Sequence, residues 1–393
     1  MAIPNSPVYK SKMRGTVYII NFIFALQMAT VGYFGANYLK FLGLPKEYIA
    51  FVYAATSLVA IVAFFFSSYL FNKFGAYRSI FVSVILYFLS YVAQAYVTDL
   101  KIILPIFILA SSFSAIVVAG LDALMERFTD SDETTGAQRG IFLTMASAAF
   151  VFGPFLGGLL AKGNDFKSLW LAGAGMLFSL MILLFWRVRK VERKQYSQFH
   201  IVHTVKAIYN NKNALYIFLA QFVLYFFYSI MVIYTSVYLH ETLNWSFDKI
   251  GLALAIALLP FAIFTVPLGK LADEKFGEQE MLIIGFIIMG AATVLFGLLK
   301  LNEFAIVASV LFATRVGASM VQTMTETYFF KLVDGKDADL ISAFRAMYPL
   351  SSVIAPLLAA PVLFVSNFNI LFALLGLVTF SGVYFALQIE DTK

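Results

Sequence analysis

Long apolar runs alternate with short polar breaks along almost the whole chain. Runs of about 20 apolar residues are long enough to cross a hydrocarbon layer as helices. They fall at roughly 16–39, 48–71, 79–98, 102–125, 138–161, 167–187, 214–239, 248–270, 280–300, 304–330, 340–364 and 368–388. This pattern predicts an all-α membrane protein of twelve transmembrane helices. The longest polar connection divides them six and six, so the expected organisation is an N-terminal half over 1–187, a linker over 188–213 and a C-terminal half over 214–393.

Two of the polar breaks look alike. Ser68 to Gly75, with Leu70, Asn72 and Lys73, resembles Gly269 to Gly277, with Leu271 and Asp273. Leu70 and Leu271 stand 201 residues apart, as do Asn72 and Asp273, a period that marks one helical unit present twice. Two pseudo-symmetric six-helix bundles follow.

Composition excludes a water-soluble domain, since 61% of residues are hydrophobic, 13% are charged and the mean hydropathy is +0.85. Lysine and arginine set the orientation. With the N-terminus inside, twenty of the 28 basic residues fall on the inner side, seven on the outer, and Arg315 inside a span. Both termini are therefore expected in the cytoplasm, with the protein in the cytoplasmic membrane. The net charge of +6 reflects this asymmetry, and no basic stripe interleaved with aromatics points to nucleic acid. The cluster from Arg187 to Lys194 reads as a positive-inside tether, with anionic lipid headgroups as the alternative partner.

Enzymatic chemistry finds little support. There is no cysteine, no phosphate-binding glycine loop and no paired aspartates within or beside the spans. His200 and His203 read as linker residues, and Asp130, Asp132 and Glu133 as a solvated turn. No cofactor and no metal are expected, and the chain is read as a monomer.

The tenth span carries the most informative polar face. Arg315, Ser319, Gln322 and Glu326 fall at i, i+4, i+7 and i+11, on one side of a helix that lipid would not tolerate. Arg315 lies 12 residues past Glu303, about 18 Å into a layer of roughly 30 Å. None of the 22 acids matches that depth. Two readings stand side by side: Arg315 pairs with an anionic group of a solute, or it is a structural arginine held by tyrosine, glutamine and backbone oxygens.

The paired loops are similar to the Gly-x-Leu-x-Asp-Arg/Lys-x-Gly-Arg/Lys signature of the major facilitator superfamily. The first copy departs from it at Ser68 and Asn72; the second has one extra residue before Gly277. In the fifth span, Ala149 to Gly158 resembles the Gly-x-x-x-Gly-Pro-x-x-Gly-Gly element associated with antiporters of that superfamily, with Gly153, Pro154, Gly157 and Gly158 in place. Ala355-Pro356 to Ala359-Ala360 is its partner 202 residues on. Proline with glycines four apart reads as a bent, tightly packed helix.

The resemblance implies a secondary transporter moving a small organic solute by alternating access, with antiport or efflux the leading direction and symport uptake or facilitated diffusion of an organic anion the alternative. In this fold the first, fourth, seventh and tenth helices line a cavity. The lining residues would be Gln27, Thr30 and Asn37; Ser111 and Ser114; Gln221, Tyr225, Tyr228 and Thr235; and Arg315, Ser319 and Gln322. By family analogy Asp273 would approach Arg139, and Asn72 would approach Arg345, with Lys73 in the same loop. Asp122 and Glu126 could accept Arg78 or Arg345, and Glu326 is the repeat counterpart of Asp122. Protons, if coupled, would ride on Asp122, Glu126 or Glu326.

Overall fold

A computed structural model of the protein describes residues 7–128, 135–188, 201–274, 276–300, 302–333 and 338–390. Backbone polar groups have no water to pair with in lipid, so apolar runs satisfy them internally as helices. The first seven helices are α1 (Pro7–Gly32), α2 (Gly35–Phe41), α3 (Lys46–Phe74), α4 (Ala76–Tyr96), α5 (Leu100–Phe128), α6 (Thr135–Leu160) and α7 (Phe166–Leu183), the last continuing into a π turn at Leu184–Val188. Then come α8 (Ile201–Asn210), α9 (Lys212–Glu241), α10 (Phe247–Ile263), α11 (Thr265–Glu274), α12 (Glu278–Leu298), α13 (Phe304–Leu332), α14 (Ala338–Val365), α15 (Phe368–Thr379) and α16 (Ser381–Ala386).

Eleven helical stretches among the described residues are long and apolar enough to span a membrane. The difference from twelve lies at 248–270, where α10 ends at Ile263 and α11 begins at Thr265, with Phe264 between them. Pro267 has no N–H to offer Ile263, and its ring displaces that carbonyl, so an apolar run that reads as continuous is interrupted. The linker also contains a helix, α8, not foreseen from its polarity; its apolar positions 201, 202, 205 and 208 follow a helical period.

The chain forms two compact units. The first comprises Met1–Gly43, Ala55–Gln198 and Ser246–Gly251; the second comprises Leu44–Ala54, Phe199–Trp245 and Leu252–Lys393. In the first, α1 packs on α6, and α4 packs on α5 and α7. In the second, α9 packs on α14, and α12 packs on α13 and α15. These pairings correspond element for element, so the repeat read from two loops is a repeat of packing.

Small residues make the seams. A Cβ on Gly153 would sit 2.3 Å from the Cβ of Ala29, and one on Gly157 would sit 2.1 Å from the Thr30 carbonyl oxygen. One on Gly158 would meet the Phe247 carbonyl oxygen at 2.3 Å and Gly251 Cα at 2.8 Å. Backbone contact this close is what holds helices together where lipid offers no hydrophobic driving force between them. In the second unit, Gly317 of α13 meets Met289 and Gly285 of α12 in the same manner.

The aromatic content is also organised by the repeat. Tyr38 packs against Phe166 at 5.8 Å and Trp170 at 4.9 Å between ring centroids. Tyr238 packs against Phe368 at 6.2 Å and Phe372 at 5.4 Å. Each tyrosine hydroxyl is satisfied, Tyr38 donating to the Gln94 carbonyl and Tyr238 accepting from Asn369.

Candidate functional site

The polar face of α13 is buried against α9 and α14 within the second unit. Arg315 is 2% exposed, and its guanidinium lies 5.0 Å from the Phe227 ring centroid on α9. Ser319 is fully buried and donates to the Val316 carbonyl. One turn on, Gln322 accepts from the Tyr228 hydroxyl at 2.8 Å, and Thr325 donates to Gln221 Oε1 at 2.6 Å. Glu326 pairs with Arg345 of α14 at 2.9 Å. Tyr225 lies beside Gln221, Glu326 and Arg345, with its ring edge-on to Tyr348 at 5.3 Å. Thr235, two turns beyond Tyr228 on α9, is fully buried against Met231. This cluster mixes an ion pair, two amides and three tyrosines along the C-terminal half of α13.

The polar stripe of the first unit is built on α1, α4 and α5. Gln27 of α1 donates to the Tyr91 hydroxyl at 2.5 Å, and Tyr91 shares a 3.0 Å hydrogen bond with Tyr87. Ser114 lies 3.8 Å from Met28 Sδ, and Ser111 donates to the Thr56 carbonyl at 2.7 Å. Thr30 is fully buried and donates to the Leu26 carbonyl, and Asn37 is 4% exposed. The helical seam residues Gly153, Gly157 and Gly158 lie on α6, which runs through Pro154 without interruption. Gly153 and Gly157 press against Ala29 and Thr30, and so border the polar stripe of α1.

Loop residues named from the sequence lie toward the ends of α3, α4 and α5. Asn72, Lys73 and Arg78 are exposed, and Lys73 donates to the Tyr69 hydroxyl at 3.1 Å. Asp122 and Glu126 are exposed on α5. The side chains of Arg139 and Asp273 lie outside the described residues, as do His200, Asp130, Asp132, Glu133 and the basic cluster from Arg189 to Lys194. Arg345 finds its carboxylate on the neighbouring helix of its own unit.

Sequence reasoning missed several participants. Tyr87, Tyr91 and Tyr348 were lost among 21 tyrosines, although Tyr87 and Tyr91 stand four apart and so share a helix face. The ion pair of Glu278 with Lys331 was also missed. Glu278 is 1% exposed and begins α12 directly after the second signature loop. The signal for it was a carboxylate in the first turn of a helix, where the macrodipole favours negative charge.

The sequence profile of the Major Facilitator Superfamily matches residues 17–247 and 217–392. The fold resembles a crystal structure of the nucleoside transporter NupG, with a TM-score of 0.77 and 12% identity over 96% of this chain and 100% of that one. It also resembles a transporter of the POT family in complex with 5-aminolevulinic acid, with a TM-score of 0.79 and 12% identity over 95% of each chain. No curated protein matches the chain.

Proposed function

The chain belongs to the Major Facilitator Superfamily, and on that premise we propose that it exchanges a small organic solute across the cytoplasmic membrane by alternating access, in the direction of antiport or efflux, with both termini in the cytoplasm. Family membership makes it a multi-pass membrane transporter of a small solute. The observation that carries the finer reading is the seam at α6. Gly153, Gly157 and Gly158 are the glycines of the antiporter-like element, and each presses on the backbone of another helix. A seam of glycines lets helices slide and re-register with little side-chain rearrangement, which suits a carrier that alternates between two states.

Arg315 is read here as a structural arginine. With 2% exposure and the Phe227 ring beneath it, the guanidinium is committed to the α9–α13 seam. A cation held over an aromatic face in a desolvated place is stabilised by about 2 kcal/mol.

Uptake and counterflow in proteoliposomes test the reading. A panel of anionic, neutral and cationic solutes, with and without a pH gradient, should reveal saturable flux that accelerates when the same solute is loaded inside. Linear, non-saturating flux would replace the carrier with a channel. Flux driven inward by an acid exterior, with no acceleration by internal solute, would replace exchange with proton symport. The flux should survive Arg315→Lys; an anion flux abolished by that substitution in folded protein would return Arg315 to the role of solute counter-ion.

A further inference from the structure

The ion pair of Glu326 and Arg345 is placed where a purely structural pair is poorly justified. Glu326 lies six residues before the end of α13, about 9 Å inside it, and Arg345 lies near the start of the apolar part of α14. Two charges withdrawn from water gain little over apolar residues of the same size, and ionisable groups inside membrane spans mark functional sites. The pair is also half open, with side-chain exposures of 39% for Arg345 and 24% for Glu326.

Beside it sits a second, independent feature. Gln221 is completely buried; its Oε1 accepts from Thr325, while its Nε2 has no hydrogen-bond partner. A buried amide donor left without an acceptor is costly, and an arriving oxygen would remove that cost. Tyr225 stands next to Gln221, Glu326 and Arg345, and its ring contacts Tyr348 at 5.3 Å and Tyr228 at 6.1 Å. Donor, ion pair and aromatic wall thus share one corner of the second unit.

We propose that Glu326, Arg345, Gln221 and Tyr225 form a subsite for the amino and carboxylate groups of a zwitterionic solute. This deepens the transport reading and rests on it. An anion alone would take Arg345 and strand Glu326 in a poorly solvated place; a cation would strand Arg345. A solute with both charges replaces one ion pair by two, its carboxylate engaging Arg345 and the vacant Gln221 donor, its ammonium engaging Glu326. No net charge is buried in the exchange. The tyrosine rings supply a surface for the apolar part of the solute.

The test uses purified full-length protein and three probes of one shape: L-phenylalanine, phenethylamine and 3-phenylpropanoate. Binding is read by isothermal titration and by the shift in Tm. The wild type should bind the amino acid at least tenfold more tightly than either singly charged probe. Glu326→Gln should invert the preference toward 3-phenylpropanoate, and Arg345→Gln toward phenethylamine. Because loss of either charge can lower folded yield, Gln221→Leu provides a second arm; it removes the vacant donor, leaves the Thr325 hydroxyl its bond to the Gln322 carbonyl, and should weaken the amino acid tenfold while the protein stays folded. Equal affinity for acid and amino acid, no binding of any probe, or a preference unchanged by both charge substitutions would overturn the assignment. Counterflow separates the two levels: exchange of another solute that phenylalanine does not inhibit leaves the transport reading standing without this subsite, whereas phenylalanine binding with no exchange of any solute defeats the transport reading instead.

Discussion

Tyr38 and Tyr238 stand 200 residues apart in matched aromatic surroundings; Gln27 and Phe227, also 200 apart, do not match at all. The first pair belongs to the scaffold of each unit, where a buried ring wedges two helices and its hydroxyl is satisfied locally. The second pair belongs to the polar stripe, where Gln27 bonds Tyr91 while Phe227 receives the guanidinium of Arg315. Ser111, which stands 204 residues before Arg315, bonds a backbone carbonyl. Duplication has thus preserved packing and let chemistry diverge where Phe227 meets Arg315: the residues at those places in the first unit, Gln27 and Ser111, bond a hydroxyl and a backbone carbonyl instead.

The seams offer the largest test of the scaffold side. Gly157→Ala should destabilise by about 3 kcal/mol, because the added methyl meets the Thr30 carbonyl oxygen and nothing there is a flexible chain end. Its counterpart Ala359 already carries a Cβ at 2% exposure, so Ala359→Gly should cost only about 1 kcal/mol. Thermal unfolding in detergent reads both, and equal losses would mean that the two seams are packed alike.

On the chemical side, Arg315→Ala should cost about 2 kcal/mol through the lost contact with Phe227. Ser111→Ala, at the corresponding place in the first unit, should cost about 1 kcal/mol. Similar Tm shifts for the two would erase the asymmetry. Tyr38→Phe and Tyr238→Phe should each cost about 1 kcal/mol and match one another, since each deletes one hydroxyl from a corresponding cage.

The smallest effect separates the units by pH. Asp165 caps α7 by accepting from the Ser168 amide at 3.0 Å, and Asn367 caps α15 in the same way from Ile370 at 3.1 Å. Hydrogen bonds from the Ser168 hydroxyl and amide, with Lys167 nearby, hold the Asp165 carboxyl below its ordinary range. A group depressed on folding contributes stability above its unfolded value and loses it as pH falls through the folded value. Acidification below pH ~4 should therefore loosen the start of α7 and leave α15 unchanged. Hydrogen exchange at the first turns of both helices measures the difference, and Asp165→Asn should abolish it.

Much of the fold was legible because hydropathy records length directly, and the two loops reveal the repeat through spacing alone. The break at Phe264 was hidden for the same reason: Pro260 and Pro267 lie within a run whose apolarity is continuous, and hydropathy carries no record of a missing N–H. The candidate site was half legible. Spacing on α13 placed Arg315, Ser319, Gln322 and Glu326 on one face, yet a single helix fixes depth and not neighbours. The pairing of Arg345 with Glu326 within its own unit is a contact between two helices, which spacing along one of them does not show. Gln27, expected to line a cavity, is buried on Tyr91, which in turn bonds Tyr87; neither tyrosine could be told from the others without knowing how α4 turns toward α1.

The aromatic cages have an optical consequence. Of the three tryptophans, Trp170 and Trp245 are each 2% exposed, one in each unit, while Trp186 is 79% exposed. Trp170 is enclosed by Tyr38, Tyr91 and Phe107, with no hydrogen bond to its indole nitrogen, whereas the Trp245 nitrogen donates to Asn302. Replacing Trp186 with phenylalanine would leave one shielded emitter per unit, in a chain that holds no cysteine to compete for an added label. The two should differ in colour, the unbonded indole emitting further to the blue, so each unit would report on itself as the carrier works.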